Sequence, residues 1–69
     1  MTNKEKTILK DIISEILANA NEELSMERDD FTNGKILAYN EVLSIIKNYL
    51  TGYDLKEFEL DFDIDKKYV

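Results

Sequence analysis

The sequence predicts a mainly α domain, an antiparallel two-helix hairpin followed by a C-terminal extended segment or short β-strand. Three observations carry this expectation. Apolar residues recur at spacings of three and four in two long segments, about 3–29 and 31–51. Proline is absent and glycine occurs only twice, so few breakers interrupt regular structure. Residues 57–65 alternate without a fault between acidic and apolar side chains, which is the period of a strand. With 69 residues the pieces form one domain, 1–69, because a separate domain typically needs upward of ~50 residues.

In the first helix, Ile8, Leu9, Ile12, Ile13, Ile16, Leu17, Ala20 and Leu24 fill about half of the circumference at ~100° per residue. Lys4, Thr7, Lys10, Asp11, Ser14, Asn21, Glu22, Ser25 and Arg28 lie mostly on the other half. Thr2 or Asn3 can cap its N-terminus, with Glu5 following. At Ala18-Asn19-Ala20-Asn21 the apolar residues become small. Either the helix bends or frays there, or a neighbouring helix approaches closely.

The second helix carries two adjacent stripes. Ile36, Tyr39, Leu43, Ile46 and Leu50 form one, and Phe31, Ala38, Val42, Ile45 and Tyr49 form the other. Asn40, Glu41, Ser44, Lys47 and Asn48 mark the wet side, where Leu37 is the one apolar misfit. Gly52 follows as a stop. Asp30 is the preferred N-cap, because Phe31 then falls in phase with the apolar face; Thr32 or Asn33 is the competing cap. Either choice leaves a short connection, which forces the helices antiparallel. Glu27 and Lys35 flank it on the apolar halves and are expected to form a cross-hairpin ion pair worth ~0–1 kcal/mol.

A half-circumference apolar face is wider than two helices need against each other. The C-terminal segment, a second copy of the chain or a target protein must cover the excess. A homodimer with a four-helix arrangement is one solution for so small a chain.

The tail, 54–69, holds the most informative stretch. In an extended strand Phe58, Leu60, Phe62 and Ile64 would face one way, and Glu57, Glu59, Asp61, Asp63 and Asp65 the other. A helical alternative leaves Leu60 and Ile64 off the apolar stripe and puts three Asp residues mid-helix, where their propensity is poor. A lone strand needs partners for its backbone. It could pair with its copy, add to the edge of a target sheet, or lie across the hairpin with its apolar side inward. Its carboxylates would recur every ~6.6 Å, comparable to the phosphates of a nucleic-acid strand, and would be drawn to a groove lined with Lys and Arg.

The charge map sharpens that expectation. The chain has 9 basic and 15 acidic residues, net -6. Residues 22–30 hold five acids and one Arg, net -4, and residues 54–65 hold six acids and one Lys, net -5. This balance argues against direct nucleic-acid binding and against an anionic membrane surface. No apolar run approaches the ~20 residues of a membrane span, and the N-terminus leads into an amphipathic segment, so a cytoplasmic protein is expected.

The residue inventory also argues against catalysis. There is no Cys and no His, so thiolate and imidazole chemistry is excluded, and no Ser or Thr has a His to activate it. Asn33-Gly34-Lys35 is too short for a phosphate loop. Asp61-Phe62-Asp63-Ile64-Asp65 begins like a calcium loop, but Lys66 stands where that loop needs Gly and no twelfth-position Glu follows. No cofactor or metal is expected.

The stretch Asp30 to Ile46 resembles a pattern common in small acidic proteins of low-GC Gram-positive bacteria and their phages, and the Lys, Asn, Ile and Glu bias of the chain fits that source. That population includes anti-CRISPR proteins. The resemblance implies a non-catalytic inhibitor that binds a nuclease, such as a Cas nuclease, and blocks its basic nucleic-acid groove. In that role Glu57, Glu59, Asp61, Asp63 and Asp65 would meet the target's Lys and Arg, with Phe58 and Phe62 as anchors. The alternative is a homodimeric helical interaction or assembly module in which the charges serve solubility alone.

Overall fold

In the computed structural model, which describes all residues from Met1 to Val69, α1 spans Asn3–Leu24. Thr2 is its N-cap. The Thr2 hydroxyl accepts from the Glu5 N–H at 3.1 Å, and the Glu5 carboxylate accepts from the Thr2 N–H at 3.3 Å. These two bonds satisfy two end donors reciprocally. They also hold the Glu5 carboxyl below the usual range, mainly through the Thr2 hydrogen bonds.

The helix stops at Leu24, short of the expected 29. Its last turn carries Glu22 and Glu23 and no basic residue, so both acids oppose the negative end of the helix dipole. Ser25 then turns its hydroxyl back onto the Glu22 carbonyl at 2.7 Å, a side-chain bond that competes with helix continuation. The small residues at 18–21 do not break the helix; Ala20 is fully buried.

The cap of α2 (Asp30–Tyr49) is Asp29, one residue before the expected Asp30. Its backbone is extended and its carboxylate accepts from the Thr32 N–H at 2.8 Å, which holds its pKa below the usual carboxylate range. Asp30 becomes the first helical residue, where its charge favours the positive end of the dipole. Gly34 lies inside the helix under either cap. The helix ends at Tyr49, and Gly52 takes φ +99°, a left-handed conformation that glycine adopts without strain. The connection, 25–29, is short, so α1 and α2 run antiparallel along their length.

The expected C-terminal strand is absent. Residues 55–59 form a tight turn closed by the Leu60 N–H on the Leu55 carbonyl at 2.9 Å, with Glu59 at φ +61°. A left-handed residue in mid-stretch reverses the chain and ends any strand. A single helical turn, α3 (Ile64–Lys67), follows, with Asp63 as its cap. The inward and outward sorting survives nonetheless. Phe58, Leu60 and Ile64 are buried, Phe62 is half-buried, and the five intervening acids are exposed.

Ten buried apolar side chains make the core, and four of them, Phe58, Leu60, Ile64 and Tyr68, come from the tail. The tail therefore roofs the hairpin instead of extending a sheet. It is fixed by side chains that the helical pattern assigns to the wet side. Lys47 donates to the Phe62 carbonyl at 2.6 Å, Asn40 to the Tyr68 carbonyl at 2.8 Å, and the Tyr68 hydroxyl donates to Asn21 at 2.7 Å. Arg28 closes the far end on the Val69 carbonyl. No buried side-chain nitrogen or oxygen is left without a partner.

The radius of gyration is 12.7 Å, against ~11 Å for a compact chain of this length, and the molecule measures 41 × 18 × 14 Å. It is elongated, more than twice as long as it is wide. No helix is long and apolar enough to cross a membrane.

Candidate interaction surfaces

The tail supplies the first surface. Its five carboxylates do not form a strand ladder. Glu57 is paired with Lys6 at 3.3 Å, and Asp63 accepts from the Asp65 and Lys66 N–H groups at 3.1 and 3.3 Å. Glu59 sits on the left-handed residue, and Asp65 lies in the first turn of α3. Asp61 is on the irregular stretch between the turn and α3. No three acids converge as a metal site would require. The two aromatics turn inward. Phe58 is buried in the core, and Phe62 meets Tyr68 edge-on at 6.1 Å with the Lys67 ammonium 5.1 Å from its ring centre. Both anchor the tail to its own helices.

Beside the turn, Lys10, Ser14, Lys56, Glu57, Phe58 and Glu59 line a pocket of about 260 Å³. Its opposite charges lie close together, so it presents no single sign to a ligand.

The second surface lies on the other side of the hairpin. At ~100° per residue, Phe31, Ala38, Val42, Ile45 and Tyr49 point away from Asn40, Ser44 and Lys47, which face the tail. Ile8 and Ile12 likewise point away from Lys10, Ser14 and Asn21 on α1. All these apolar side chains are open to solvent. Tyr49 is 84% exposed, Phe31 75%, Ile45 57%, and Ile8 and Ile12 about half. Between them Lys35, Ala38, Tyr39 and Val42 line a shallow groove of about 240 Å³.

This open face contains the whole second stripe of α2. Periodicity marks those residues as apolar but does not say which stripe the tail will cover. Phe31 keeps its expected phase with Ala38, Val42, Ile45 and Tyr49, but the tail leaves that stripe uncovered, and its ring lies 5.2 Å from the Lys35 ammonium.

Lys35 pairs with Glu23 at 2.5 Å instead of the expected Glu27. Glu27 lies past the end of α1, in the connection, whereas Glu23 is still on the helix. The Glu23 bond raises the Lys35 pKa. The pair sits at the rim of the open face and keeps one cation there.

No family model matches the chain, and neither a curated protein nor a solved structure matches it significantly.

Proposed function

We propose that this protein works by protein–protein contact, without catalysis, and that it docks through the open face of the α1–α2 hairpin. One observation carries this reading: the tail seals one side of the hairpin while Ile8, Ile12, Phe31, Val42, Ile45 and Tyr49 remain exposed together on the other. A cluster of large exposed apolar side chains on one side of a small chain is characteristic of an interaction site. The absence of Cys and His leaves the patch no catalytic partner of either type.

A second reading rests on the tail. Glu57, Glu59, Asp61, Asp63 and Asp65 are all exposed while the residues between them are buried or half-buried. That acidic edge would seat in a basic groove of a nucleic-acid enzyme, as an anti-CRISPR-like inhibitor does.

Affinity capture from the host, run in parallel with wild type, Val42→Glu/Ile45→Glu and Asp61→Asn/Asp63→Asn/Asp65→Asn, separates the two. Asn at 63 still caps a helix, so the tail variant keeps α3. A partner lost only by the apolar-face variant supports docking through the open face. A partner lost only by the tail variant, with binding that weakens in salt, supports the acidic edge and rejects the first reading.

A further inference from the structure

Building on the open face as the docking surface, we infer that its partner is a second copy of this chain, packed with the two α2 helices antiparallel across a two-fold axis that crosses the open face midway between Ala38 and Val42. The first reason is area. Aromatic side chains offer about 150–250 Å² each, so the exposed parts of Phe31 and Tyr49 with the neighbouring aliphatics amount to roughly 700 Å². That exceeds the ~300–600 Å² of the largest patch on a typical monomer and approaches the ~800 Å² per partner of a standard interface.

The second reason is the thin core. Only 11 of 69 residues are buried, and the chain has no disulfide to compensate. A domain this small gains most from burying a further layer, and oligomerisation supplies one.

The third reason is the order of side chains on α2. A two-fold interface must be self-complementary. Positions on this face pair about the level of Asn40: Phe31 falls opposite Tyr49, Ala38 opposite Val42, and Lys35 opposite Ile45. Antiparallel pairing sets a ring against a ring at each end. At the centre it sets the small Ala38 against Val42, where the two helices must come closest. The Lys35 stem covers Ile45 while its ammonium stays at the rim.

The test uses the full chain. Sedimentation and light scattering are expected to show a dimer at micromolar concentration. Val42→Glu/Ile45→Glu, at exposed positions, is expected to keep its helical circular dichroism and weaken the dimer by at least about 30-fold. The chain has no native cysteine, so single Ala38→Cys and Val42→Cys chains, mixed and oxidised, report the register. Cross-linking chiefly between the two different variants supports the antiparallel seam; no cross-link between them overturns it. A wild-type chain that stays monomeric at high micromolar concentration, or a dimer that the Glu substitutions leave intact, also overturns the proposal. A monomer that binds an apolar fluorescent dye, and loses it on Ile45→Glu, rejects the second copy but leaves the docking face standing. A monomer indifferent to the dye rejects both.

Discussion

The side of the hairpin that carries Leu17, Asn21, Asn40 and Lys47 is roofed by the tail, whereas the side that carries Ile8, Ile12, Val42 and Ile45 is bare. Both sides are built from the same two helices, and both are apolar near the helix–helix seam. They differ in the polar groups at their edge. The roofed side offers Asn21, Asn40 and Lys47, which bind a tyrosine hydroxyl and two backbone carbonyls of the tail. The bare side offers Lys35, already engaged by Glu23, and mostly apolar side chains, with Asn19 among them. An irregular segment carries backbone groups that need hydrogen-bond partners, so it settles where donors and acceptors wait. A regular helix has satisfied its own backbone and can be covered by side chains alone, and the bare side suits such an occupant.

The strongest way to break this contrast is at the roof. Phe58→Ala is expected to cost about 3–5 kcal/mol by emptying the core beneath the tail, while Ile45→Ala on the bare side of the monomer should stay within about 0.5 kcal/mol. Urea unfolding followed by circular dichroism measures both. Equal losses at a protein concentration where the chain is monomeric would mean that the bare side is also packed within one chain.

The turn that starts the roof holds Glu59 in a left-handed conformation that costs a non-glycine residue roughly 1–2 kcal/mol. Glu59→Gly should therefore raise the urea midpoint, by about 1 kcal/mol of stability once glycine's entropy is subtracted. A lowered midpoint would show that the acid contributes more than its backbone costs.

Tyr68→Phe sharpens the comparison at one bond. Removing the hydroxyl that donates to Asn21 should cost about 0.5–1.5 kcal/mol and leave the bare side untouched.

Burial pushes the Tyr68 hydroxyl above the ordinary tyrosine range. A raised folded-state value means that the folded chain holds this proton longer than the unfolded one. The associated stability is whole below the ordinary tyrosine value and is lost as pH climbs through the higher folded value. Near-UV circular dichroism should show the roof loosening in alkali, and Tyr68→Phe should lack this contribution.

The smallest effect is acidic. Glu5 and Asp29, both held low by hydrogen bonds at helix N-termini, contribute stability that is present above their unfolded values and lost as pH falls through the folded ones. The ends of α1 and α2 should fray on acidification. Amide exchange at Thr2 and Thr32, the N–H groups that the Glu5 and Asp29 carboxylates accept from, reports it.

Much of this was legible in the residues. Ile13, Leu17, Ile36 and Leu43 fall on the stripes that periodicity assigns to the core, and all four are buried. Leu37 was marked as a misfit and stands exposed. The helix ends were less legible. Asp29 and Asp30 are both competent caps, and only the backbone conformation at 29 distinguishes them. The tail was half legible. Alternation named which side chains turn inward but not the path, because a chain that reverses at Glu59 and caps itself at Asp63 can sort its side chains as a strand does.

The sequence by itself determined two amphipathic helices, an acidic surface and a tail with an apolar side, because each follows from the period and type of neighbouring residues. Tertiary structure alone decided which stripe the tail would cover and which would remain open. That choice depends on Asn21, Asn40 and Lys47 meeting tail groups 15 to 47 positions away, a match between distant donors and acceptors that no local pattern encodes.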